Sequence, residues 1–187
     1  MTKTAYAFLA TGFEEVEALA VVDALYRAKI NVKTVSITGE KLVTSSHGIA
    51  IMADLLFDDI KDDEVDLLFL PGGMPGTLNL GAHEGLCQML AKHYEAGRHV
   101  AAVCAAPSVL GQLGFLKGRK ATCFPGFEDK LDGATVLTED RSVRFVTDGN
   151  VTTSRGMGTS VELGIELVRI LTDEKTAHEL ALSTQTI

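Results

Sequence analysis

Three features far apart in this sequence carry its capacity for chemistry: a cysteine ending an apolar run, a glutamate inside an apolar helical pattern, and a glycine pair after a strand. The cysteine is Cys104, in His99-Val-Ala-Ala-Val-Cys-Ala-Ala-Pro-Ser108. A strand-type run leads into it, and a helical pattern follows through Leu110. Pro107 suits a first helical turn, where its missing N–H has no intrahelical partner. Cys104 is therefore expected in a sharp strand-to-helix turn, as in a nucleophile elbow. The positive end of the helix and its free N–H groups favour a thiolate there. Read alone, the segment also suits a small buried hydrophobe, the common fate of a free cysteine.

Glu17 belongs to Glu14-Glu-Val-Glu-Ala-Leu-Ala-Val-Val-Asp-Ala-Leu-Tyr-Arg27, a pattern apolar nearly all round. Such a helix is expected to be mostly buried, with Glu14 and Glu15 reaching solvent at its start. A carboxyl desolvated among Val16, Leu19, Ala20 and Val21 has a raised pKa. It can then donate a hydrogen bond to a thiolate or sulfinate, or act as a general acid or base. The alternative is a solvated glutamate on an amphipathic face. Gly72 and Gly73, in Pro71-Gly-Gly, offer backbone N–H groups close to a bound anion; with the Ala105 N–H they would form an oxyanion hole. An ordinary tight turn explains the glycine pair equally well.

These residues need a scaffold. The chain has 187 residues, 46% of them hydrophobic, which suits a single domain over 1–187 with a substantial core. A net charge of −8 without a basic cluster argues against nucleic acid and against anionic membranes. The three cysteines, Cys87, Cys104 and Cys123, form no C-x-x-C pair, which favours a reducing, cytoplasmic setting over a disulfide framework. The N-terminus reads as a first strand rather than a signal peptide, and no apolar run is long enough to span a membrane. None of the five histidines pairs with another His or Cys at ligand spacing, so no metal is expected. Gly156-Met-Gly-Thr-Ser160 lacks a P-loop lysine and reads as a turn packing near the site.

Strands are expected at 4–10, 31–37, 42–45, 49–52, 65–70, 99–104, 121–123, 134–137, 143–147 and 151–153. Helices are expected from Glu14 or Glu15 to Ala28, over 84–95, from Cys104 to Leu113, to Leu171 and through Leu182. The acidic stretch 58–66 is expected to be solvated. Alternation of this kind implies a mostly parallel sheet with helices on both faces, and ligands at the carboxyl ends of its strands. The loops after Ala10, Leu70 and Val103 converge there, which would assemble Glu17, Gly72, Gly73 and Cys104.

With Gly12-Phe-Glu-Glu-Val-Glu17, Leu70-Pro-Gly-Gly73, Ala102-Val-Cys-Ala-Ala-Pro107 and Thr153-Ser-Arg-Gly-Met-Gly-Thr-Ser160 in this order, the whole chain resembles the ThiJ/PfpI (DJ-one) superfamily. Its nearest branch contains the Parkinson-disease-linked deglycase and its bacterial homologues. The resemblance implies a flavodoxin-like three-layer α/β/α sandwich that forms a homodimer. It implies an oxidisable Cys104 bonded to a protonated Glu17, with oxyanion-type N–H groups at Gly73 and Ala105. The activities implied are cofactor-free conversion of methylglyoxal to lactate, repair of early glycation adducts, chaperone action and oxidative-stress sensing. A hydrolase or amidotransferase is a further alternative. Ala105 stands where the intracellular peptidase branch carries histidine, which argues against a Cys-His peptidase, and Phe124 stands where human-type members carry a histidine near the pocket; the two absences together weigh against the hydrolase or amidotransferase. His47 stands where relatives place an arginine reaching the partner's pocket, and Arg27 matches a family arginine near the same interface.

Overall fold

The computed structural model describes residues 2–60 and 65–187. The chain opens with β1 (Thr4–Leu9), α1 (Glu15–Arg27) and β2 (Asn31–Ser36). A hairpin of β3 (Leu42–Thr44) and β4 (Ala50–Met52) leads to the two-residue β5 (Leu55–Leu56) and then β6 (Leu67–Leu70). Next come α2 (Gly76–Ala82), α3 (Glu84–Glu95), β7 (His99–Val103) and α4 (Pro107–Gln112). The remainder is β8 (Lys120–Ala121), β9 (Thr135–Val136), β10 (Phe145–Asp148), β11 (Val151–Ser154), α5 (Ser160–Leu171) and α6 (Glu174–Ser183).

Seven strands form the central sheet in the order β10-β11-β7-β6-β1-β2-β5. All neighbours in it are parallel except β10, which returns antiparallel against β11 through the turn Asp148-Gly149-Asn150. The central strands β1, β6 and β7 are nearly continuous apolar runs because both sheet faces are covered. Alternation within them sorts the side chains. Leu68 and Leu70 of β6 join Phe8, Val100, Leu86, Leu90 and Leu110 on one face. Leu67 and Phe69 join Ala7, Val103, Val21, Leu25, Leu163 and Leu167 on the other. Helices α2, α3 and α4 thus lie on one side and α1, α5 and α6 on the other, giving an α/β/α sandwich.

Strand order reverses between β1 and β6, where chain crossovers leave in opposite directions. A crevice opens beyond the carboxyl ends of the strands at such a point. The glycines there permit backbone-to-backbone contact. A Cβ on Gly76 would sit 2.6 Å from the Phe13 nitrogen, and Gly73 has φ +90° and Gly12 φ +86°. The β3–β4 hairpin is tied on by Gly12 N–H to Thr44 O at 2.8 Å, and Val43 packs with Phe13.

Several expectations need correction. Helix α1 is not mostly buried: Val16, Leu19 and Tyr26 are exposed, because the helix lies beside α5 and shows its outer stripe to solvent. Glu15, expected in solvent, is buried. The short β5 and α2 were not anticipated; α2 has a poor helical signature, since Gly76 and Gly81 fall within it. The acidic stretch lies partly outside the described residues, and Asp66 at its end is anchored by Lys3 Nζ at 2.6 Å and the Thr4 N–H at 2.9 Å.

Candidate functional site

Cys104 follows the last residue of β7 and adopts φ +64°, the left-handed region that a side chain rarely occupies. Its backbone is held from both sides. Its N–H donates to Ser154 O at 3.0 Å, extending the β7–β11 ladder, and its carbonyl accepts the Phe124 N–H at 2.8 Å. Helix α4 begins three residues later with Pro107 in its first turn. The result is a strand-turn-helix corner that turns the thiol toward α1, at the centre of the carboxyl edge.

Glu17 meets it there. Glu14 caps α1 by accepting the Glu17 N–H at 2.6 Å, which fixes the first turn and directs Glu17 inward. The Glu17 side chain is 1% exposed. Its Oε2 accepts the Gly72 N–H at 2.9 Å, and the carboxyl also takes hydrogen bonds from the Met157 N–H and the Cys104 thiol. Gly72 is glycine for a spatial reason: a Cβ there would lie 2.6 Å from the Cys104 Cβ and 2.7 Å from Glu17 Oε2. The N–H groups of Ala105 and Gly73 both point at the Cys104 sulfur. Cys104, Glu17, Gly72, Gly73 and Ala105 are therefore brought together.

Burial pushes the Glu17 carboxyl up to about 7, against the lowering effect of its hydrogen bonds. Burial also pushes the Cys104 thiol up, to about 12, reinforced by the Glu17 charge and hydrogen bond. The expectation that the helix terminus alone would yield a thiolate is thus corrected. Burial and the neighbouring carboxylate outweigh the two N–H donors. The two groups titrate as a pair. When one proton remains, a thiolate exists in the arrangement that places that proton on Glu17.

The other anticipated residues are more dispersed. Phe124 is half-exposed, and its ring lies against Gly156; a Cβ on Gly156 would be 3.4 Å from that ring and 3.8 Å from Glu17 Oε1. His47 is an exposed residue whose Nδ1 bonds Glu15 Oε1 at 2.9 Å. That hydrogen bond and the Glu15 charge raise the His47 pKa. Arg27 pairs with Asp23 at 2.6 Å, at the far end of α1 from Glu17. Cys87 and Cys123 stand apart, Cys123 buried against Thr138. Sequence spacing missed one possible ligand group: Glu14, Glu15 and His47 offer atoms within 4.8 Å of one another. It also missed the Met157 N–H on Glu17, because a backbone donor leaves no mark on residue type.

No helix among the described residues is long and apolar enough to cross a membrane. The DJ-1/PfpI family model matches residues 3–170. The chain is similar to Protein DJ-1 homolog A of Arabidopsis thaliana, 40% identical over 181 residues, covering 96% of this chain and 46% of the relative. It therefore spans about half the length of that relative. It is also similar to Deglycase PfpI of Pyrococcus furiosus, 37% identical over 131 residues, covering 70% of this chain and 76% of the relative. Among solved structures, oxidized Toxoplasma gondii DJ-1 superimposes with a TM-score of 0.93 at 29% identity, covering 98% of each chain.

Proposed function

The chain belongs to the DJ-1/PfpI family, and from that premise we propose that it is a cysteine-dependent, cofactor-free glyoxalase or deglycase. Its substrates would be α-oxoaldehydes such as methylglyoxal, or the early glycation adducts they form. The observation that carries this reading is the cluster around one sulfur: two backbone N–H groups, and a buried carboxyl raised to about 7.

In this mechanism Glu17 takes the thiol proton as the Cys104 sulfur adds to the aldehyde carbon and then passes it to the new oxygen anion, giving a neutral hemithioacetal and an ionised Glu17. The Ala105 and Gly73 N–H groups stabilise the oxygen anion as the carbonyl bond opens. Glu17 then removes the hydrogen of that carbon as a proton and delivers one to the adjacent carbon, giving a 2-hydroxy thioester. Water attacks the thioester, releasing lactate and the free thiol. The net change is methylglyoxal plus water to lactate, with no external oxidant or reductant. On a hemithioacetal or hemiaminal adduct the bond to the carrier breaks first, the hydroxyl proton passing to the departing thiol or amine, and the aldehyde so regenerated follows the same sequence.

The reading includes a homodimer and a cytoplasmic setting. Exposed Val16 and Leu19 of α1, and Val161 of the adjacent α5, suit a face covered by a second copy. All three cysteines are unpaired, as suits a reducing compartment. A second reading, as an oxidation sensor or holdase chaperone, is favoured by the same donors. Peroxide would convert the Cys104 thiolate through sulfenate to sulfinate, whose oxygens the Gly73 N–H and a protonated Glu17 can hold.

Methylglyoxal consumption with stereospecific lactate detection tests the first reading, comparing wild type with Cys104→Ala and Glu17→Ala after a fold check. Turnover lost in both variants is the expected result. A folded wild type without turnover overturns the reading, and peroxide titration with mass spectrometry at Cys104 then tests the second.

A further inference from the structure

The Thr153-Ser-Arg-Gly-Met-Gly-Thr-Ser160 motif supplies one atom to the site, the Met157 N–H on Glu17. Three hydroxyl side chains of the same motif, Ser154, Thr159 and Ser160, are buried. Buried hydroxyls are costly unless their hydrogen bonds are made, and these converge on one peptide unit. The Gly156 carbonyl accepts the Thr159 N–H at 2.9 Å and the Ser160 hydroxyl at 3.0 Å, and lies 2.8 Å from Thr159 Oγ1. The Gly156 N–H donates to Thr159 Oγ1 at 3.2 Å. Ser154 Oγ donates to the Arg144 carbonyl at 2.8 Å, so toward Thr159 Oγ1, 2.7 Å away, it acts as acceptor. The single Thr159 hydroxyl proton thus lies between Ser154 Oγ and the Gly156 carbonyl.

The Gly156 carbonyl and the Met157 N–H belong to one planar trans peptide, so they point in opposite directions. Donors gathered on the carbonyl therefore fix where the N–H points, and it points at Glu17. Met157 opens a 3₁₀ turn, Met157–Thr159, so its N–H has no partner within that turn and is free for the carboxyl. The other end of the cluster reaches the backbone of the sulfur, since the Ser154 carbonyl accepts the Cys104 N–H at 3.0 Å. Thr159 stands between the two, bonded to Gly156 on one side and to Ser154 on the other.

We propose that Thr159 is a positioning residue of this site: its hydroxyl, with that of Ser160, aims the Met157 N–H at Glu17 and, through Ser154, ties that turn to the strand end that holds Cys104. The donor stabilises the ionised form of Glu17 and opposes the burial that favours its proton. Cys104 and, from its own helix, Glu14 are the titratable groups that also act on Glu17. The consequence for turnover rests on the glyoxalase or deglycase reading; the effect on the Cys104–Glu17 pair does not.

The test follows alkylation of Cys104 by iodoacetamide against pH, by mass spectrometry of its peptide, in wild type, Met157→Pro, Met157→Ala, Thr159→Val and Thr159→Ser. Proline suits the first position of the turn, and Gly156 is already extended, with φ 161° and ψ −166°, as the residue before a proline must be. Met157→Pro deletes the donor and leaves Thr159 in place. Below the first ionisation, near pH 7, the rate compares thiolate with the fully protonated pair, in neither of which Glu17 is charged, so this limb should match the wild type. The step itself should move up by about one pH unit, and the plateau above it should rise about tenfold, the scale of one hydrogen bond to a charged group. Thr159→Val should move step and plateau the same way, by about threefold, as the donor loses its aim without being deleted. Thr159→Ser keeps the hydroxyl and Met157→Ala keeps the N–H, so both should behave as wild type. A hydroxyl that only supports the fold would lower the melting temperature of Thr159→Val and leave its step near 7. An unmoved step in Met157→Pro, or in Thr159→Val, overturns the proposal; should Thr159→Val not fold, Thr159→Ala is read in its place. Methylglyoxal turnover is measured in parallel, and the acid limb of kcat/KM should move with the alkylation step. A moved step in a protein without turnover leaves Thr159 its role and removes the enzymatic reading. Turnover with an unmoved step does the reverse.

Discussion

Replacing Glu17 by Gln should change the pH profile of Cys104 in a way that separates the two members of the pair. In the wild type the first proton leaves near pH 7, largely from Glu17, and the second leaves near 12, from a thiol that faces an ionised carboxylate. Two unit charges about 4 Å apart, at an effective dielectric of about 20, repel by about 4 kcal/mol. That is roughly a thousandfold in the ionisation equilibrium of the second group. Between the two steps thiolate exists only while Glu17 holds the remaining proton, and its fraction does not change with pH. The alkylation rate of Cys104 by iodoacetamide, followed by mass spectrometry of its peptide so that Cys87 and Cys123 do not interfere, should therefore rise through pH 7 and then stay flat. Glu17→Gln retains the shape and removes the charge. The step near 7 should vanish, and one rise should replace it, at a pH between 7 and 12 and without a plateau. A step near 7 that survives in Glu17→Gln would show that it does not belong to Glu17, and the shared-proton account would fail.

Thermal and denaturant stability give further expectations. The Glu17 carboxyl holds its proton to about 7 when folded, against an ordinary 4.5, so its contribution is fully present below 4.5 and lost as pH rises through 7. Glu17→Gln should thus be the more stable protein at pH 8, by up to about 3 kcal/mol in urea titrations, with no such gain at pH 4. Burial holds His93 and His99 near 4 against an ordinary 6.5, the opposite sign: their contribution is present above 6.5 and lost as pH falls toward 4. In the Glu17→Gln background this acid destabilisation should dominate between pH 6.5 and 4, with the exposed His47–Glu15 pair opposing it only weakly, and stability that is constant over that range would contradict it. Cys104→Gly should exceed Cys104→Ala in stability by about 1 kcal/mol, because glycine adopts φ +64° without strain; equal melting temperatures would show that the corner is not strained. Gly72→Ala should cost about 1–3 kcal/mol through overpacking and erase the alkylation step near pH 7, since its Cβ would lie 2.7 Å from Glu17 Oε2. An unchanged profile would refute that geometry.

Much of this arrangement was legible because it rests on patterns of residue type. The apolar runs of β1, β6 and β7, and the breaks after them, defined a parallel sheet and pointed to the loops that meet at its edge. Cys104 and Glu17 could be singled out because a cysteine before a helix start and a glutamate among Val and Ala are each unusual. What escaped was set by partners rather than by type. Glu15 is buried because His47, thirty-two residues away, closes over it. Half of α1 is uncovered because α5 takes only one flank. The thiol's rise reflects desolvation and the distance to a carboxylate, neither of which a helix-terminus rule contains. The Met157 N–H and the Thr159–Ser154 contact became apparent only once the loop after β11 was placed.

The origins of the pair's neighbours have a kinetic consequence. Glu17, Gly72, Cys104 and Met157 come from four segments widely separated along the chain, and each touches another directly. No locally formed hairpin or helix contains even two of them. Loop closure over such separations contributes nothing to the site until most of the sheet is in order. Suppression of thiol reactivity at Cys104 is therefore a marker of the completed topology rather than of secondary structure. During refolding, protection of this sulfur should lag behind the far-ultraviolet circular dichroism signal, making Cys104 a built-in probe for the final docking of β1, β6, β7 and β11.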